Sequence, residues 1–189
     1  EAGTPDALVR HAMSGVSVVN AGDGHRAHPT QGLLDVLTIR QHRPDFENLV
    51  VVICGDIKHS RVARSDIHAL TVMGAKEIRL CGPAGLMPAA DEFPHCRYYN
   101  DFDAAIEGAD VSIMLRLQKE RMASVDLPDE AAYFNHYGLD TRRLARAAKG
   151  CLVMHPGPLN RGIEIASEVA DGAQSRILEQ VGNGVFVRM

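Results

Sequence analysis

Four short stretches of the chain place a histidine, an arginine or a constrained carbonyl where a ligand could meet it. In His28-Pro29-Thr30-Gln31 the proline suits the first position of a helix, which makes His28 the N-cap. His28 and Gln31 then share a helix face. Their donors point at a helix N-terminus, where unpaired N–H groups and the dipole favour anions and polarised oxygens. The competing reading is an ordinary capped helix with a solvent-facing histidine. The second stretch, Gly55-Asp56-Ile57-Lys58-His59-Ser60-Arg61, follows an apolar run. Arg61 falls in a first helical turn, where the dipole disfavours a cation. Either a ligand holds it there or it pairs with Asp56 or Asp66.

The third stretch is Arg116-Leu117-Gln118-Lys119-Glu120-Arg121. Arg116 and Gln118 face the same way in an extended chain, and a guanidinium beside a carboxamide suits a carboxylate; Glu120 could brace Arg116. A charged surface loop is the alternative. In the fourth, His155-Pro156-Gly157-Pro158, two prolines fix the backbone and remove two N–H donors. That leaves a rigid row of carbonyl oxygens able to accept from an –NH₂ group, or else a simple turn.

The elements that position these stretches repeat an apolar run, a turn and a helical stretch. Strands are expected at Leu49–Cys54, Ile78–Cys81, Arg97–Tyr99, Val111–Leu115 and Cys151–Met154, with a short one at Val16–Val19. Helices are expected from Pro29 to Arg43, Ser60 to Gly74, Asp101 to Glu107, Leu139 to Lys149 and Gly172 to Gln180. Runs that are apolar on both faces belong to parallel sheets covered by helices. The fold class is therefore α/β, a doubly wound parallel sheet with helices on both faces, plus a remnant of a second α/β domain. Ligands bind such sheets beyond the strands' carboxyl ends. Three of the four stretches lie there, and the fourth opens a helix long enough to link two domains. The expected division is 1–32 as the remnant, 33–169 as the sheet domain, and 170–189 as a helix returning towards the first part.

Composition narrows the classes. The net charge of −4 carries no nucleic-acid footprint. No apolar run approaches the roughly 20 residues of a membrane helix and no signal peptide is visible, so the cytoplasm is the expected compartment. The four cysteines form no C-x-x-C pair, and buried free thiols are expected rather than zinc ligands or disulfides. Arginines number 16 against 4 lysines. That excess reflects either codon usage or anion grip by bidentate forks. A dehydrogenase-type nucleotide domain has only the 49–56 strand-turn in its favour and lacks the G-x-G-x-x-G fingerprint.

Taken jointly, His28-Pro-Thr-Gln31, Arg116-Leu-Gln-Lys-Glu-Arg121 and His155-Pro-Gly-Pro-Leu-Asn-Arg161 resemble the aspartate/ornithine transcarbamylase family. The last two look like its aspartate branch, and the cysteine-bearing H-C-L-P motif of the ornithine branch is absent. The resemblance runs from Arg10-His11 to the Gly182-Asn-Gly-Val-Phe186 tail. It implies transfer of a carbamoyl group from carbamoyl phosphate to L-aspartate in pyrimidine synthesis. By that resemblance Arg10, His28 and Gln31 contact carbamoyl phosphate, as do Gly157 and Pro158 with the backbone of Pro156. Arg61, Arg116 and Gln118 grip the aspartate carboxylates, and His28 and Arg10 stabilise the carbonyl oxygen of the transition state. No metal or cofactor is implied. A homotrimer with shared sites is implied, with regulatory or dihydroorotase-like subunits as further partners, and neither nucleic acid nor membrane.

The family's Ser-x-Arg-Thr phosphate loop and a neighbour's lysine loop would lie upstream of Glu1. The chain is shorter than the family pattern between Gly15 and Val16, as though a helix were lost, and it stops before a final helix would be complete. It is accordingly expected to be a fragment, inactive by itself. A non-catalytic paralogue with an assembly role is the alternative.

Overall fold

The structure, a computed structural model, describes residues 2–117 and 129–189. Five strands form one sheet: β1 (Val50–Cys54), β2 (Glu77–Cys81), β3 (Arg97–Tyr99), β4 (Val111–Met114) and β5 (Leu152–Met154). Every pairing is parallel and the order is β3-β2-β1-β4-β5. The chain therefore builds outward from β1 to β3, then returns to the other side of β1 for β4 and β5. The reversal lies between β1 and β4, where a crevice opens beyond the strand ends.

Alternation along the strands explains why both faces are covered. Val51, Ile53, Ile78, Leu80, Val111, Ile113, Leu152 and Met154 join one core with Ile39, Ala63, Ile67 and Leu70. Val52, Cys54, Cys81, Met114 and Val153 join the other, with Phe102, Ala105, Val169 and Ile177. The first core brings in α2 (Pro29–His42) and α3 (Arg61–Val72); the second α4 (Phe102–Ala105), α7 (Ser167–Ala170) and α8 (Ile177–Arg188). The doubly wound α/β fold is thus observed. The remaining described helices are α1 (Thr4–His11), α5 (Glu130–Tyr137) and α6 (Thr141–Leu144). No described helix is long and apolar enough to cross a membrane.

Local chemistry sets the helix starts. Pro29 occupies the first turn of α2 after the N-cap His28. The Ser60 hydroxyl accepts from the Ala63 N–H and caps α3. The two helices approach closely at Gly32, where an added Cβ would sit 2.8 Å from the Ser65 carbonyl oxygen. A glycine is needed there for packing, not for a turn.

Three expectations about elements fail. Residues 16–19 form no strand; what precedes them is helix α1, with Pro5 in its first turn. The expected helix of 139–149 contracts to Thr141–Leu144, capped by Asp140. The last helix starts at Ile177 rather than Gly172 and runs through Gly182 and Gly184. Packing outweighs the glycines here. The Asn183 amide donates to Thr38 and Gln41 of α2, and an added Cβ on Gly184 would touch Leu34.

Candidate active site

The carboxyl ends of β1, β4 and β5 and the N-termini of α2 and α3 converge on one pocket of about 150 Å³. Its lining contains His28, Gln31, Asp56, Arg61, Arg116 and the 156–158 turn. Of the expected site residues, His28, Gln31, Arg61, Arg116, Gly157 and Pro158 are thus brought together. Gln118 lies outside the described residues, as does Glu120. Arg10 is not brought there. It is exposed on α1 and donates back to the Asp6 carbonyl of its own helix. The assignment of carbamoyl contacts and catalysis to Arg10 is therefore corrected: the Arg10-His11 dipeptide closes a helix, where a cation suits the dipole.

Arg61 pairs with neither of the carboxylates considered from sequence. Asp56 accepts from the His59 backbone N–H and lies 2.9 Å from its ring Nδ1, and Asp66 lies buried beside Asp35. Among the described residues Arg61 has no carboxylate within ion-pair distance. Its guanidinium rests instead on the Asn20–Gly24 turn. An added Cβ on Gly22 would lie 2.8 Å from Arg61 Cζ, and Arg61 Nη1 donates to the Gly24 carbonyl at 3.4 Å. Gly22 has φ 140, a second reason for glycine. Sequence reasoning assigned this turn no role; its two glycines within five residues were the available signal.

His28 is held from both sides. Its backbone N–H donates to the Ser65 hydroxyl at 2.8 Å, and the Thr30 hydroxyl lies 3.4 Å from its Nδ1. A hydroxyl donating to Nδ1 leaves the ring proton on Nε2. Burial lowers the His28 pKa from 6.5 to about 4, with help from the cations Arg61 and Arg188. At neutral pH the pocket therefore contains a neutral imidazole beside two guanidinium groups.

The 155–158 turn is braced by His155, a residue named in the sequence motif without a role of its own. His155 is fully buried. The Gly157 N–H donates to its Nδ1 at 2.9 Å, so its proton sits on Nε2, 3.3 Å from Glu164 Oε1. The peptide between Gly157 and Pro158 is cis. Gln31 differs from expectation in sense: its amide nitrogen donates to Asp35 at 3.0 Å, so the carbonyl branch, an acceptor, is the one left for the pocket.

Residues 47–189 match the family profile described as aspartate/ornithine carbamoyltransferase, Asp/Orn binding domain. Residues 2–41 match its carbamoyl-P binding domain. The chain is 57% identical over 190 residues to the aspartate carbamoyltransferase catalytic subunit of Xanthomonas campestris pv. campestris (strain B100), covering 100% of this chain and 60% of that protein. It is 55% identical over 188 residues to the subunit of the same name from Stenotrophomonas maltophilia (strain R551-3), covering 99% and 60%. The chain thus spans about 60% of the length of the curated relatives it matches. Among solved structures, aspartate transcarbamoylase from Trypanosoma cruzi in complex with phosphate superposes with a TM-score of 0.81 at 28% identity, over 97% of this chain and 62% of that one. The same trypanosome enzyme with N-(phosphonacetyl)-L-aspartic acid gives 0.76 at 29% identity, over 89% and 56%. Ornithine carbamoyltransferase from Thermus thermophilus gives 0.80 at 25%, over 97% and 60%. An alignment of 190 positions that covers all 189 residues leaves room for about one gap. No helix is lost between Gly15 and Val16 relative to that protein, and α1 precedes that point.

Proposed function

This chain belongs to the aspartate/ornithine carbamoyltransferase family, and from that premise we propose that it serves the aspartate reaction. The carbamoyl group of carbamoyl phosphate passes to the amine of L-aspartate, giving N-carbamoyl-L-aspartate and phosphate. The amine nitrogen forms a bond to the carbamoyl carbon, the bond from that carbon to the phosphate oxygen breaks, and the amine proton leaves with phosphate. The observation that carries this reading is the meeting of Arg61, Arg116 and a neutral His28 in one pocket at the sheet's switch point.

Each residue has a task its chemistry allows. Two guanidinium forks suit the two carboxylates of aspartate, and Gln118 would join them by its place in the motif. The His28 Nε2–H donates to the carbonyl oxygen as charge builds there, a role that a neutral ring fills without carrying charge of its own. The Gln31 carbonyl and the backbone carbonyls of 156–158 accept from the carbamoyl –NH₂. Holding both substrates in line supplies much of the remaining acceleration. The steps as written use neither metal nor organic cofactor. The same reading carries a place in pyrimidine synthesis, a cytoplasmic homotrimer, and the division into 1–32, 33–169 and 170–189.

The experiment is a coupled assay for carbamoyl aspartate and phosphate. It is run on this chain by itself, which is expected to turn over little, and on the whole-length protein that carries it, as wild type and as Arg116→Ala. Stoichiometric product that falls about a hundredfold in the variant is expected, as for loss of a charged carboxylate contact. Equal rates with L-ornithine and L-aspartate, or equal rates in wild type and variant, would remove aspartate from the reading.

A further inference from the structure

Behind the pocket lie two acids that the reaction does not use. Asp35 of α2 and Asp66 of α3 are each 1% exposed, and they are buried as neighbours where the two helices close on one another at Gly32 and Ser65. Asp35 Oδ1 accepts from Gln180 Nε2 at 2.6 Å and from Gln31 Nε2 at 3.0 Å. Both Asp66 oxygens meet no N–H or O–H donor among the described residues. Two ionised carboxylates buried side by side repel and cannot hydrogen-bond to each other. One proton between them removes both problems.

The neighbours decide which acid holds it. The His155 backbone N–H donates to Gln180 Oε1 at 2.9 Å. That engages the oxygen of the Gln180 amide and turns its –NH₂ group to Asp35, whose Oδ1 must then be an acceptor. Asp35 Oδ2 accepts as well, from Gln31 Nε2 at 3.3 Å, so both Asp35 oxygens act as acceptors and the proton falls to Asp66, donated to Asp35. Asp35 in turn fixes the Gln31 amide with its nitrogen inward and its carbonyl towards the pocket. Through Gln180 it also ties α8 to the start of the 155–158 turn.

We propose that a proton held by Asp66 and shared with Asp35 makes this pair a positioning device for the pocket, setting the sense of the Gln31 amide and anchoring the 155–158 turn. The shared proton stands on the packing alone; the positioning role rests on the ligand reading given above. The groups facing the pair are Gln31 from α2, Gln180 from α8 and the two acids themselves. The cations Arg61 and Arg188 bear on His28. Burial pushes both carboxyls up, Asp35 to about 7 and Asp66 well above the usual range. The pair titrates as a unit. Its folded state keeps a proton that the unfolded chain releases above about 4. This contribution to stability is therefore complete below that pH and is lost as pH rises through the folded values of the pair.

The test follows aspartate side-chain carboxyl carbons and glutamine side-chain amides by NMR between pH 5 and pH 9, on the full chain. It compares wild type, Asp66→Asn, which supplies a donor without a titrating proton, and Asp66→Leu, which supplies none. One carboxyl is expected to titrate above neutrality in the wild type only, with the Gln31 and Gln180 amide signals following the same curve. Those signals should be independent of pH in Asp66→Asn. Binding of N-(phosphonacetyl)-L-aspartate should stay within about threefold of wild type in Asp66→Asn and weaken about tenfold in Asp66→Leu. If every aspartate carboxyl titrates below pH 5, the shared proton is overturned. If the titration appears but Asp66→Leu binds the mimic as wild type does, the positioning role is overturned and the proton stands. Wild-type protein that titrates as described and binds no mimic overturns the ligand reading, and the positioning role with it.

Discussion

Arg61→Ala is expected to weaken binding of N-(phosphonacetyl)-L-aspartate by a factor of a hundred or more, measured by calorimetric titration. Removing one partner of a well-formed, desolvated charge pair costs about 2–5 kcal/mol, and about 1.4 kcal/mol is tenfold. Two features place Arg61 within that range. Among the described residues no carboxylate competes for its guanidinium. Its fork is also pre-organised, lying over Gly22 with Nη1 on the Gly24 carbonyl, so little side-chain freedom remains to be lost on binding. Arg61→Lys should not rescue it, because an ammonium cannot reproduce a bidentate fork; at least about tenfold should remain lost. Affinity within threefold of wild type in either variant would take Arg61 out of the ligand's reach.

His28→Ala should lower kcat by about 10²–10³ and leave KM within a few-fold, the pattern of a donor that acts mainly on transition-state charge. Its pH behaviour gives a second reading. With a folded pKa of about 4 against an ordinary 6.5, His28 is neutral throughout the physiological range. Wild-type kcat should therefore show no His28 inflection near 6.5. For stability the sign is opposite to that of the acid pair. Between about 4 and 6.5 the unfolded chain binds a proton on this histidine that the folded chain does not. The stability linked to His28 is complete above the unfolded value and declines as pH falls through the folded one. Thermal melts of wild type and His28→Ala should accordingly diverge between pH 6.5 and pH 4, the wild type losing more. Parallel melts over that range, or a kcat shoulder at 6.5, would mean that the imidazole is solvated and ordinary.

Much of this was legible in the residues. Val50–Cys54 and Val111–Met114 are buried on both sides, and runs of that kind carry their own fold class. The motifs at their ends then fall at the switch point by topology alone. What escaped was set by contacts between distant residues. The 182–184 glycines sit inside α8 because α2 lies against them. Arg10 matched a dipeptide pattern but belongs to a helix whose last turn favours a cation. The sense of the Gln31 amide depends on Asp35, one turn further along α2, and on Gln180, 145 residues after Asp35. One clue was available locally. Asp66 lies on the same face of α3 as Ala63, Ile67 and Leu70, all buried, and a carboxyl group on an apolar stripe needs a partner or a proton.

In the proposed function one crevice, between the ends of β1 and β4, receives the whole substrate pair. Mapping backbone and side-chain amide shifts while titrating N-(phosphonacetyl)-L-aspartate into the ¹⁵N-labelled chain tests this most directly. Saturable shifts should concentrate at residues 28–31, 55–62, 115–116 and 155–158, with the Gly22 and Gly24 amides moving as Arg61 engages. Shifts centred instead on the apolar groove between α2 and α3, around Leu33, His68 and Val72, or no saturable shift at all, would contradict it.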